Sequence, residues 1–375
     1  VVAAPRFSRR WLLVAAGAAG LVGLGVAPGV LPAVSTAGTA PEQLRDRLRA
    51  SAAQPYVGYA ESNGRLGLPQ LPQLEQVTGL LTGTTRIRAF VAGPDRWRVD
   101  ELTPAGERGT YHCGDAEAVW DFGANQLTRV VGTTPVRLPR AADLVPPDLA
   151  RRLVGATRAD PVTGLAARRI AGRDAAGLRV VPADPGTTVG RVDVWADPVS
   201  ALPLRVEVAG RGDAAPVLIT ELRDVDLRAP ADDVLVPTVP PGAGSVTARA
   251  ADVAGVLRAQ GAPEPPLQLA GRARVRLPGD SGDALPGVGL YGTGLAAFVL
   301  VPVSRRIAAQ VIDDAGGAGG TSLDIPGARA VRVGTPLLSL VARTVGRRGG
   351  AFLAGAVVPE LLEQAARELP VGGRV

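Results

Sequence analysis

The chain has 375 residues, a formal net charge of +6 at pH 7, one histidine, one cysteine and no methionine. Its basic side chains other than that histidine are all arginine, which excludes a Walker A loop, a lysine Schiff base and a pyridoxal site. A single histidine rules out multi-histidine metal centres, and a single cysteine rules out an internal disulfide.

Arg6, Arg9 and Arg10 precede an uncharged Ala/Gly/Leu/Val run over 11–27; Pro28, Pro32 and the small residues Ser35 and Ala37 follow. This is the order of an export signal, so residues 1–37 are expected to be a signal peptide or an N-terminal anchor, with cleavage after Ala37. The Ser8, Arg9, Arg10, Trp11 order also fits a twin-arginine signal. The exported part is expected to be extracytoplasmic, soluble or held by that segment.

Residues 41–53 read as a helix with proline in the first turn and Leu44 and Leu48 at i, i+4. Residues 56–62 read as a strand, 66–76 as a Pro- and Leu-rich loop, and 84–92, 96–102 and 108–112 as strands between turn sequences. A hairpin over 116–122 and 126–131 comes next, then a helix over 141–156 and strands at 168–171 and 178–182. In 192–208, Val192, Val194 and Ala196 alternate with polar or aromatic residues, and Leu202, Leu204, Val206 and Val208 repeat the pattern beyond a turn at Asp197 and Pro198. A period of two of this kind is a hairpin of a half-buried antiparallel sheet. A strand at 217–227 completes an up-and-down sheet or partial barrel.

Residues 229–244, with Pro230, Pro237, Pro240 and Pro241, read as a linker and a hinge between domains. Beyond it, helices at 252–260, 305–313 and 359–369 and strands at 289–302 and 329–344 predict a small α+β domain over 245–375.

Little in the chain can carry catalysis. Adjacent strand residues face opposite sides, so His112 cannot activate Cys113. The carboxylate pairs Asp193 and Asp197, Asp224 and Asp226, and Asp313 and Asp314 read as solvated faces and turns, with no base beside them. Arg86, Arg88, Arg96 and Arg98 alternate with apolar residues as on the wet face of a sheet, and aromatics make up 3% of the chain, which does not fit a nucleic-acid surface. No enzyme, cofactor or metal is expected. Aromatic and aliphatic strand residues offer either an ordinary core or the wall of an apolar cavity; the candidate wall is Phe90, Trp97, Val99, Trp120, Val194, Trp195 and Leu204.

The order of helix, long sheet, inserted helix and the 192–206 hairpin (VDVWADPVSALPLRV) resembles the LolA-like half-barrel of lipoprotein carriers. It is more similar to the larger domain of the RseB/MucB regulators of sigma-E type factors. Residues 290–301 (LYGTGLAAFVLV) resemble that family's strand opening in the second domain, and 357–366 (VVPELLEQAA) its closing strand-to-helix step. The resemblance implies a mainly β fold with α+β parts: a LolA-like antiparallel half-barrel with covering helices over 38–228, then a smaller RseB-like domain. It implies an extracytoplasmic sensor that binds a lipidic ligand and the extracytoplasmic segment of an anti-sigma factor or similar membrane protein. A LolA-like carrier of lipid or lipoprotein acyl chains and an envelope scaffold without ligand remain the alternatives.

Overall fold

The computed structural model describes residues 40–67, 75–104, 106–132, 139–249, 257, 263–275 and 285–370. The expected leader lies outside them, as does the helix expected over 252–260 except for Leu257, which is helical and buried.

The larger part is a twelve-stranded sheet flanked by helices. In chain order its strands are β1 (Tyr56–Arg65), β2 (Thr82–Gly93), β3 (Arg96–Thr103), β4 (Gly106–Cys113), β5 (Ala116–Asp121), β6 (Gln126–Val131), β7 (Val162–Ile170), β8 (Arg173–Val180), β9 (Val189–Ala196), β10 (Pro203–Gly210), β11 (Leu218–Asp226) and β12 (Gly244–Arg249). Their spatial order is β12-β6-β5-β4-β3-β2-β1-β11-β10-β9-β8-β7, antiparallel throughout except for β12, which runs parallel to β6. The sheet is thus two meanders joined at the β1–β11 pair.

One face carries the helices α1 (Pro41–Ala50), α2 (Glu75–Leu81) and α3 (Pro146–Ala156). In α1, proline opens the helix, Glu42 lies in the first turn and Arg47 and Arg49 in the last, all favourable to the helix dipole. Its Leu44 and Leu48 and the Leu149 and Leu153 of α3 lie at i, i+4 spacing and are buried against the sheet. Each such leucine contributes roughly 1.5–3 kcal/mol of burial. Strand residues on this helix side follow the pleat: Tyr56, Ala60 and Ser62 of β1 sit beside Val91, Ile87 and Thr85 of β2, and Thr220 of β11 donates to the Leu144 carbonyl just before α3.

Among the described residues, no α-helix lies over the opposite face. There the side chains close the surface with an ion-pair chain across four strands: Arg168 to Glu207, Glu207 to Arg205, Arg205 to Glu221, Glu221 to Arg223 and Arg223 to Glu61. Arg168, which pairs with Glu207, also stacks over the Trp195 ring at 3.9 Å. Gly177 on β8 makes room for that ring; a Cβ there would stand 2.6 Å from Trp195 Nε1 and 2.8 Å from Leu165 Cβ. The indole cannot retreat, because its N–H donates to the Ala166 carbonyl at 3.0 Å. Gly177→Val is therefore expected to lower stability by about 1–3 kcal/mol, read as a shift in the urea midpoint at unchanged slope.

The smaller part is an eight-stranded sheet in the order β13-β14-β15-β16-β20-β19-β18-β17. Its strands are β13 (Gln268–Leu269), β14 (Arg272–Val275), β15 (Gly289–Tyr291), β16 (Phe298–Ser304), β17 (Thr321–Ser322), β18 (Ala330–Gly334), β19 (Ser339–Val345) and β20 (Gly349–Gly355). Helix α4 (Arg305–Gly317) covers one face over Val301, Val331 and Phe352, and α5 (Pro359–Glu368) covers the other over Leu300, Val341 and Leu353.

Several elements differ from the sequence reading. Helix α2 stands where part of a loop was expected. The expected strand at 289–302 is broken at Gly292 and Gly294, both with positive φ, which glycine adopts without strain. The one expected over 329–344 turns at Pro336 into β18 and β19, and β20 was not anticipated. Gly244, the expected end of the linker, and residues 245–249, expected to open the second domain, instead form β12 on the edge of the first sheet.

Candidate functional site

The pleat of the larger sheet separates the seven candidate wall residues. Trp97 and Val99 of β3 pair with Val91 and Ala89 of β2, and so face the helices. Val194 pairs with Val206 and Leu178 on that side, and Leu204, beside the β10 irregularity, joins the same core; both are fully buried. Phe90, Trp120 and Trp195 point the other way. Phe90 pairs with Arg98, whose guanidinium stacks on Phe90 at 5.4 Å and on Tyr111 at 4.9 Å. Trp120 packs with Tyr111, Ala118 and Leu127 beneath Val239 and Ala243. A period of two assigns neighbours to opposite faces, but it does not show which parity of each strand lies under the helices.

At the β3–β5 end of the helix side, polar groups gather around Trp97. His112 pairs with Trp97 across β3–β4, and their rings stack at 5.1 Å. Arg140, from the turn before α3, lies 5.2 Å from the centre of the Trp97 ring and forms an ion pair with Glu117 at 2.6 Å. Glu117 sits opposite His112 in the β4–β5 pair. Glu101, on the same face of β3, has its pKa raised by burial. Deeper along this face the Tyr56 hydroxyl and the Ser62 hydroxyl are buried with no hydrogen-bond partner among the described residues. The end of the face at Trp97 is thus half-buried and amphipathic, and the middle is apolar with isolated polar atoms.

None of these groupings is a catalytic arrangement. Cys113 is exposed at the end of β4, while the His112 ring stacks on Trp97. Among the described residues no group of three His, Cys, Asp or Glu side chains could hold a metal ion. Asp193 and Asp197 are structural, as expected, and Asp197 holds its turn; both are buried where a solvated face was expected of the pair. Asp193 takes both nitrogens of Arg179 at 2.6 Å. Asp197 accepts from the Val199 and Ser200 amides, fixing the β9–β10 turn, and pairs with Arg173 at 2.7 Å.

The second functional feature is the junction between the two sheets. The segment after β8 docks on the smaller domain: Thr187 bridges Val357, Thr188 N–H donates to the Ala356 carbonyl, and Val358 N–H donates to the Gly186 carbonyl. The Thr188 hydroxyl donates to the Leu337 carbonyl at 2.7 Å. Arg272 reaches back to hold both oxygens of Asp184, and this hydrogen-bonded pairing keeps the Asp184 carboxyl below its usual range. Leu337 and Leu338, in the β18–β19 turn, are buried in the core of the larger domain. The proline-rich stretch is also pinned, by Arg98 to the Val234 carbonyl, by Val239 and Ala243 on the Trp120 cluster, and by β12 itself. The expected hinge is a strap laid over the sheet, because Pro and small residues also suit close packing against an aromatic surface. Sequence reasoning missed the junction, and its only local signal is the Leu337–Leu338 pair inside a turn.

The architecture is therefore a helix-covered, open, mostly antiparallel sheet carrying a second, smaller α+β domain. No protein-family model matches the sequence, and no curated protein does. Among solved structures the chain is similar to the Pseudomonas aeruginosa MucA/MucB complex, at 14% identity over 87% of this chain and 96% of that one, with a TM-score of 0.48. It is similar to MucB in complex with MucA(peri) at 15% identity over 89% and 100% of the two chains, with a TM-score of 0.49. A LolA superfamily protein from Nitrosomonas europaea matches at 14% identity over 53% of this chain and 99% of that one, with a TM-score of 0.26. No helix among the described residues is long and apolar enough to cross a membrane.

Proposed function

We propose that the chain is an extracytoplasmic regulatory protein that takes a lipidic ligand on the helix side of its larger sheet and binds an anti-sigma factor-type membrane partner. The observation that carries the reading is the clamped second domain: a carrier of acyl chains needs only a sheet and covering helices, whereas here a further sheet is locked to one end through Asp184, Thr187, Thr188 and Leu337. That junction offers a partner one composite surface from both domains. The ligand reading is supported by the apolar helix side, by the buried hydroxyls of Tyr56 and Ser62, and by an amphipathic mouth in which Trp97 and Arg140 suit an acyl chain with a polar head. Of the candidate wall, Trp97, Val99, Val194 and Leu204 belong to this proposed site. Ten buried methylenes are worth roughly 8 kcal/mol before association costs.

The test pairs lipid analysis of the purified chain with binding of a fluorescent fatty acid. Co-purified lipid and saturable binding are expected, with Trp97→Ala weakening the probe about tenfold and Phe90→Ala, on the far face, leaving it unchanged. If no lipid is found and no probe binds, the ligand half of the proposal fails. Crosslinking in cells should capture a membrane protein of anti-sigma type; capture of lipoproteins alone would leave the carrier reading in its place.

A further inference from the structure

We infer that the tip of the smaller domain farthest from the junction is a docking surface for an anionic phospholipid membrane. Two arginine pairs form it. Arg305 and Arg306 open α4, and Arg347 and Arg348 lie in the turn between β19 and β20. The sheet register places Ser304 opposite Gly349, Arg305 N–H donates to the Arg348 carbonyl at 2.8 Å, and Arg305 Nη1 donates to the Gly346 carbonyl at 2.6 Å. All four side chains are exposed.

What sets them apart is their lack of counter-charges. Every other described arginine of this domain is accounted for: Arg272 pairs with Asp184, Arg274 with Glu264, Arg329 with Asp313, and Arg332 and Arg367 with Glu363, while Arg343 is buried at the end of α5. Among the described residues none of the four tip arginines makes an ion pair. Arg305 and Arg306 also stand in the first turn of α4, which holds no acidic residue, so their charge opposes the positive end of the helix dipole. An external anionic surface removes both penalties. The β19–β20 turn lies at the opposite end of its strands from Leu337 and Ala356, so the patch faces away from the larger domain. Four exposed cations on a turn and a helix start suit a diffuse array of phosphates better than a single extended peptide. A chain expected to be exported with a membrane-targeting leader meets such a surface. Each arginine held near an anionic bilayer strengthens binding about fivefold, an effect that fades within a Debye length of roughly 10 Å.

The test is flotation of the full chain with vesicles of phosphatidylcholine alone or with one quarter phosphatidylglycerol, at low and at physiological salt. The wild type is expected to prefer the anionic vesicles and to lose that preference as salt rises. The variant Arg305→Ser, Arg306→Ser, Arg347→Ser, Arg348→Ser should lose it by about a hundredfold or more at low salt. A control of equal net charge, Arg65→Ser, Arg86→Ser, Arg169→Ser, Arg228→Ser, should keep it within a few-fold, and matching circular dichroism would show that all three chains are folded. An equal loss in the control, or no loss in the tip variant, overturns the inference. So does tip-dependent binding of polyglutamate without any preference among vesicles, which would assign the patch to an acidic protein segment.

Discussion

Replacing Arg343 with alanine is expected to destabilise the smaller domain by about 3–5 kcal/mol, the range for emptying a large buried site and unpairing its hydrogen-bond partners. The side chain is fully buried on β19, under the end of α5. Its Nη1 donates to the Ala366 carbonyl and, at 2.8 Å, to the Leu369 carbonyl. These are among the last carbonyls of a helix, which have no partner within the helix, and a cation there complements the negative end of the dipole. Burial pulls the guanidinium pKa below its ordinary value, and Nε and Nη2 have no partner among the described residues. The buried charge is therefore costly in itself, and its removal refunds part of the loss. Arg343→Met separates the two effects, since it keeps most of the volume and discards the hydrogen bonds. The expected order of stability is wild type, then methionine, then alanine, followed by hydrogen exchange of the amides of residues 359–368. A methionine variant as stable as the wild type would mean that capping of α5 contributes nothing.

Arg343 also marks where the sequence stops being readable. It falls within an expected strand, and nothing local separates a buried arginine from the exposed ones around it. The elements themselves were legible wherever pattern and punctuation agreed. The turns at residues 94–95 and 123–125 delimit hairpins, and Pro41 and Pro359 open helices in a turn where no backbone donor is lost; the helix expected over 141–156 instead splits into a 3-10 turn at 141–144 and α3, which opens at Pro146. The second domain was harder because its strands are short and its breaks fall at Gly292, Gly294 and Pro336, inside otherwise continuous apolar runs. Trp97 was legible as a strand aromatic on the face of Val99. Its stack on His112 follows only once the β3–β4 hairpin register is fixed, which requires the turn at Pro104 to be placed to the residue. Phe90, Trp120 and Trp195 lie on the opposite face from Trp97, and the sequence did not show this: both faces of this sheet are covered, one by helices and the other by arginine stacks, ion pairs and the 236–243 strap, so an apolar strand position does not tell which face it occupies.

The junction yields the other large effect. Leu337→Asp is expected to cost at least about 4 kcal/mol of domain coupling, because it removes a buried leucine and places a carboxylate where no water reaches. Leu337 is fully exchanged into the core of the larger domain, and its carbonyl already holds the Thr188 hydroxyl, so the aspartate has no rotamer that reaches solvent without parting the two surfaces. Thr187, Thr188 and Asp184 lose their partners as the turn withdraws, and among the described residues Leu295 is left packed against the core of the larger domain. The measurable outcome is two separate unfolding transitions in calorimetry in place of a coupled one, with faster proteolysis at residues 181–188. In the regulatory reading the variant should also lose capture of its membrane partner while keeping fatty-acid binding at Trp97, because the composite surface is broken and the larger sheet is not. Partner capture at wild-type strength alongside two separated transitions would show that the partner reads one domain alone, and the second domain would then need another reason to be clamped so firmly in place.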